Sequence, residues 1–140
     1  MKFKALVVAA LLASPVAAQE VKIGIAAEAY PPFASPDASG NWVGWEIDFI
    51  NAMCAAAEMQ CVITPVAWDG IIPSLTSGQI DVIMASMSIT EERMQTIDFS
   101  DKYYNTPRKI AIRNDIKFTD AASLNGKKIG VLKGSTQEKY

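Results

Sequence analysis

Histidine is absent from all 140 residues. That removes the side chain most often used as a general base near neutral pH, and with it the usual activator of a nucleophilic serine or cysteine. Cysteine is scarce: there are two, Cys54 and Cys61, a poor donor set for a metal without imidazole beside them. No basic cluster stands out among 13 Lys and Arg set against 15 Asp and Glu, and the net charge is −2. This balance argues against nucleic acid and anionic membrane as partners. Long apolar runs are missing too. The best one, ALVVAALLA at 5–13, falls short of the roughly 20 residues that span a bilayer.

That run has another use. A basic start, Met1-Lys2-Phe3-Lys4, precedes it, and small Val16-Ala17-Ala18 follow. This is the three-part pattern of a secretory signal peptide, residues 1–18, cleaved near Ala18. The run carries no helical stripe, so an amphipathic first helix is the weaker reading. No cysteine follows the cleavage site to take a lipid anchor. What remains is enough for about one domain. In an exported chain an even cysteine pair suggests a disulfide. Within one continuous helix, residues at this spacing lie about 10 Å apart along the axis, too far to bridge. A Cys54–Cys61 bond therefore requires the helix to end between them, which AAAEMQ (55–60) running into CVITPV permits. Two buried free thiols are the alternative.

The rest of the chain alternates. VKIGIAA (21–27), CVITPV (61–66), IDVIMAS (80–86), RKIAIRN (108–114) and KKIGVL (127–132) read as strands. GWEIDFINAMCAAAEMQ (44–60) has a helical stripe at Trp45, Phe49, Ile50, Met53 and Ala57. GIIPSLTSG (70–78) and FTDAASLNG (118–126) read as helices closed by glycine, TEERMQ (90–95) as one or two turns, and GSTQEKY as a turn opening a helix. Strands alternating with helices imply an α/β fold with a largely parallel, doubly wound sheet. Such sheets bind ligands beyond the carboxyl ends of their strands. Glu28 and Tyr30 follow the first strand, Trp68 and Asp69 the second, Ser86, Ser88 and Arg93 the third, and Ser135, Thr136 and Gln137 the last.

Taken in order, AEAYPPF, GWEIDFINAMC, AWDGIIPSL, SMSITEERMQTIDFSDKYYNTP and GVLKGSTQEKY resemble the periplasmic amino-acid-binding proteins of ABC importers, nearest to the lysine/arginine/ornithine/histidine-binding type. The resemblance covers essentially all of the chain after residue 18. It implies the type II periplasmic-binding-protein fold: two α/β lobes joined by hinge strands that close over one amino acid. On this reading residues 19–110 are the first lobe. Residues 111–140 complete a crossing strand and begin the second lobe, and the chain resembles a member truncated there. The resemblance also implies a disulfide between Cys54 and Cys61.

The same resemblance assigns roles. Arg93 would take the ligand's α-carboxylate, since a guanidinium donates two parallel hydrogen bonds to that group. Ser86 and Ser88 would bind the carboxylate or the α-ammonium group, and Tyr30 and Trp68 would sandwich the side chain. Ser135, Thr136 and Gln137 would supply the second lobe's contacts. The pattern departs in two places. Ala85 stands where relatives often carry a hydroxyl. Glu28 lies two residues before Tyr30 rather than three, with Ala27 in the acidic position. One residue of shift turns an extended side chain to the other face, so Glu28 is either the acid for a distal cation or a solvent-facing residue. Glu46 and Asp48 open a helix, where acids favour the dipole. The expected protein is a monomeric periplasmic receptor that hands a polar, cationic L-amino acid to a membrane permease, with no cofactor, metal or catalysis. An enzyme on the same scaffold and a receptor's sensor domain are the alternatives.

Overall fold

A computed structural model describes residues 20–139. The expected signal peptide, 1–18, and Tyr140 lie outside the described residues. Strand β1 (Glu20–Ala26) is the middle of a three-stranded parallel sheet. On one side it pairs along its whole length with β4 (Gln60–Val66), from Glu20↔Gln60 to Ala26↔Val66. On the other it pairs with β5 (Val82–Ile83) through Ile23↔Val82 and Gly24↔Ile83. A small antiparallel ladder, β2 (Ser35–Pro36) with β3 (Trp42–Val43), lies in the first crossover. Parallel neighbours need such crossovers, and α1 (Trp45–Ala56) and α2 (Ile71–Thr76) supply their helices.

Alternation along β1 sends successive side chains to opposite faces. Ile23 and Ile25, both fully buried, pack with Ile47, Ile50 and Cys54 of α1 and with Met84. The other face carries Ala26, against a second cluster of Ile71, Ile80 and Ala85. Gly24 shares that face. A Cβ at this position would stand 2.3 Å from Cδ1 of Ile80, so the glycine is what lets Ile80 lie flat on the strand. Helices on both faces make the sheet doubly wound, as the alternation implied.

Helix α1 is rotated from its expected setting. Its buried residues are Glu46, Ile47, Ile50 and Cys54, while Trp45 and Phe49 are each 41% exposed. The two rings stack on each other at 5.5 Å, and Tyr103 and Tyr104 lie against Trp45 at 6.0 and 5.5 Å. A distant segment, rather than the sheet, covers the aromatic stripe. The helix then ends as the disulfide demands. The N–H of Met59 returns to the carbonyl of Cys54 (2.9 Å), Glu58 takes a left-handed φ of 54°, and β4 starts at Gln60. Cys54 and Cys61 are bonded, with Cα atoms 6.2 Å apart. A loop this short contributes about 2–3 kcal/mol in the chain-entropy picture.

Four expectations need correction. No strand forms at 108–114 or at 127–132 among the described residues. A strand needs a neighbour for its ladder hydrogen bonds, and these segments find none; Ile110 and Ile129 are each 59% exposed. The helix expected over 118–126 is a single 3-10 turn, Ala121–Leu124, capped by the Asp120 carboxylate accepting from the Ser123 N–H. Residues 133–139 form turns rather than opening a helix. The short helix expected near 90 is present as α3 (Glu91–Met94), with the Thr90 hydroxyl accepting from the Arg93 N–H at 3.3 Å.

Candidate functional site

Since β1, β4 and β5 run parallel, their carboxyl ends share one edge. β4 ends into a 3-10 turn, Trp68–Gly70, which sets Trp68 on the rim, half-buried against the Ile71–Ile80 cluster. The Trp68 N–H donates to both oxygens of the Glu28 carboxylate, at 3.3 and 3.2 Å. Glu28, itself exposed, therefore lies beside the Trp68 turn.

Arg93 lies across this rim. Its guanidinium carbon stands 5.6 Å from the centre of the Trp68 ring, within cation–π reach. Nη1 donates to the Ser88 carbonyl at 2.9 Å, and Nη2 to the Gly134 carbonyl at 3.2 Å. Partial burial lowers the arginine's pKa, and Glu92 opposes that effect. The group stays cationic at neutral pH, so burial leaves it a charge poorly shielded by water. Such a charge attracts an anion.

Arg93 lines a cavity of about 200 Å³ together with Thr90, Arg108, Ser135, Thr136 and Lys139. Lys139 is paired with Glu92 there. Ser135 is buried, with its N–H donating to the Leu132 carbonyl and its Oγ accepting from the Glu138 N–H. The Thr136 hydroxyl donates to Gln137 Oε1 at 3.3 Å, and Gln137 itself is exposed. A second ion pair, Lys133 Nζ to Asp69 Oδ2 at 2.9 Å, brings this segment against the Trp68 turn. Hydrogen bonding and charge attraction hold the Asp69 carboxyl below the usual carboxylate range and raise Lys133.

Ser86 is engaged inward. Its φ is +47°, a left-handed setting that costs a non-glycine residue about 1–2 kcal/mol. Its N–H donates to the Tyr103 hydroxyl at 2.8 Å, and its Oγ to Glu46 Oε1 at 2.8 Å. Tyr103 in turn donates to the same Oε1 at 2.6 Å. Burial, with the adjacent Glu46 carboxylate second, pushes the Tyr103 phenol up, so it remains a protonated donor. Tyr30, 45% exposed, stacks on Phe33 at 5.0 Å and has no ring contact with Trp68 among the described residues. The structure thus gathers Arg93, Trp68, Glu28, Ser88, Ser135 and Thr136, and leaves Tyr30 and Gln137 at the periphery. Sequence reasoning missed Thr90, Arg108 and Lys139, which line the cavity, and Glu46 and Tyr103, which bind Ser86 without lining it. An acid in a helix's first turn looks like a dipole partner, and only Tyr103, far along the chain, shows otherwise.

A doubly wound α/β body with a cationic crevice at its strand ends has the build of a ligand-binding domain. The chain belongs to the bacterial extracellular solute-binding proteins, family 3, whose family model matches residues 21–138. It is 44% identical over 121 residues to the L-arginine-binding protein of Pseudomonas aeruginosa, covering 86% of this chain and 46% of that one. To the lysine/arginine/ornithine-binding periplasmic protein of Escherichia coli it is 46% identical over 112 residues, covering 79% and 43%. Among solved structures it resembles domain 1 of the arginine-binding protein of T. maritima, a point mutant in its arginine-bound form. That match has a TM-score of 0.57 and 39% identity, and covers 61% of this chain and 65% of that one. The chain spans about half the length of the curated relatives it matches.

Proposed function

We propose that this protein is a periplasmic receptor that captures a polar, cationic L-amino acid and delivers it to the membrane permease of an ABC importer. The observation that carries the reading is the Arg93 guanidinium, half-buried on the face of Trp68 beside a cavity lined by Ser135 and Thr136. Arg93 grips the α-carboxylate, a charged hydrogen bond contributing about 1.5–3 kcal/mol. Ser86 and Ser88 serve the ligand's head, with Ser86 having to release its N–H or hydroxyl from Tyr103 or Glu46 to do so, and Ser135, Thr136 and Gln137 contact it from the second lobe. Trp68 and Tyr30 flank the side chain, and Glu28 meets the distal cation. The relatives named for arginine, lysine and ornithine support the cationic preference. Residues 19–110 form the first lobe and 111–140 open the second. Ligand contacts in both favour the closed form, as required of any closure driven by binding. The protein acts as a monomer, reaches the periplasm by cleavage near Ala18, and performs no chemistry on the ligand.

Calorimetric titration of the full-length protein with arginine, lysine, ornithine, histidine, glutamine and glutamate tests this. A cationic member should bind most tightly, and Arg93→Ala should lower its affinity by about 10- to 100-fold. Tighter binding of glutamate or glutamine than of every cationic member overturns the preference. Undiminished binding by Arg93→Ala overturns the site.

A further inference from the structure

Glu46 is the most deeply buried charged residue described, at 1% exposed, and it does not touch the cavity that Arg93 lines. Both hydrogen bonds it accepts end on one atom: Ser86 Oγ and the Tyr103 hydroxyl each reach Oε1. The Tyr103 oxygen closes the ring by accepting the Ser86 N–H. A three-membered network therefore grips the residue whose backbone is left-handed. Two residues on, Ser88 presents the carbonyl that holds Nη1 of Arg93. The tyrosine is aimed in its turn. Trp45 and Phe49, on the same first turns of α1 as Glu46, lie beside its ring with centroids 6.0 and 6.2 Å away and planes inclined by 22° and 26°. One stretch of helix thus orients the ring and binds its hydroxyl.

We infer that Glu46 and Tyr103 are positioning residues of the ligand site. They hold Ser86 in its left-handed turn and, through the Ser88 carbonyl, set the place of the Arg93 guanidinium. A turn that its own residue disfavours persists only where the surroundings enforce it, and here the enforcing groups are these two. A half-buried guanidinium with one nitrogen fixed keeps its remaining donors in a constant direction. The inference rests on the reading of Arg93 as the carboxylate-binding group.

The test uses Tyr103→Phe, Glu46→Leu and Glu46→Gln in the full-length protein. Each is read by amide exchange without ligand and by titration with L-arginine. Tyr103→Phe removes only the hydroxyl and keeps the stacked ring. It should speed exchange across residues 86–93 while β1 stays protected, and lower arginine affinity about tenfold, the worth of one hydrogen bond of this kind. Glu46→Leu should do the same. Glu46→Gln should retain most of the affinity, because a carboxamide oxygen can accept both hydrogen bonds that Oε1 accepts. In an Arg93→Lys background the effect of Tyr103→Phe should shrink, since residues acting through one another are not additive. Unchanged exchange at 86–93 in Tyr103→Phe overturns the inference, as does an affinity loss fully additive with Arg93→Lys. If the unaltered protein binds no arginine, the functional reading falls, and the exchange data alone decide for or against the positioning role. Should Glu46→Leu fail to fold, Tyr103→Phe carries the test.

Discussion

At the residue scale, the role proposed for Glu28, telling a cation from a neutral amide, turns on its charge. Its carboxylate rests on the Trp68 N–H, a neutral donor that leaves the negative charge unpaired by any cation among the described residues. Glu28→Gln keeps an oxygen for that N–H and removes the charge. Arginine affinity should then fall about tenfold or more, the charged part of such a contact, while glutamine loses little. Parallel titrations of both ligands check this, and equal losses for the two would return Glu28 to a structural role. Much of this site was legible beforehand. Arg93, Trp68 and Ser88 follow strand ends, and a parallel sheet delivers strand ends to one edge. Glu46 and Tyr103 were not legible as a pair, because their meeting depends on how α1 is turned. Nor could the sequence reveal that Ser86 spends both its donors internally, since nothing in a serine's identity announces a left-handed φ.

At the element scale, the decisive contact is the one between β1 and the residue leading into β5. Gly24 leaves no room for a side chain, with Ile80 Cδ1 where a Cβ would go. Gly24→Ala should destabilise by about 1–3 kcal/mol through overpacking. Ile80→Val deletes that very methyl and costs about 0.5–1.5 kcal/mol alone. Combined, the two changes should cost less than their sum, because neighbours in contact couple. Denaturant midpoints of the two single variants and the pair give the answer, and strict additivity would show that the close approach is relieved elsewhere. The alternation of strands and helices and the presence of α1 were readable from pattern, because local sequence determines them, whereas spacing alone left the disulfide open beside two free thiols. The strands expected at 108–114 and 127–132 were not formed, although their β-rich composition was read correctly. Composition sets a strand's suitability, but a ladder needs a second strand, and the described residues provide none.

At the scale of the whole molecule, three contacts tie residues 133–139 to the parallel-sheet body: Lys133 with Asp69, Lys139 with Glu92, and Arg93 Nη2 with the Gly134 carbonyl. The two ion pairs are solvent-exposed, so salt screens them over a Debye length of about 8–10 Å. The Arg93 contact is partly shielded and should persist. Acid acts on the same pairs with a defined sign. Asp69 and Glu92 have folded pKa values held below their ordinary 3.8 and 4.5 by their lysines. Their contribution is present above those ordinary values and is lost as pH falls through the lowered folded ones. Lys133 is raised above its ordinary 10.5, so its share is present below that value and disappears as pH climbs through the raised one. Protection factors across 133–139, exchange corrected for its intrinsic pH dependence, should therefore fall in acid and in about 1 M salt at neutral pH, while β1 and β4 stay protected. Asp69→Asn should reproduce part of the salt effect and make the segment less responsive to further salt. If exchange there ignores salt, or if Asp69→Asn leaves it unchanged, the hydrogen bond from Arg93 is the tie that matters. An incoming carboxylate that takes over Nη2 would then replace this direct tie with its own contacts to Ser135 and Thr136.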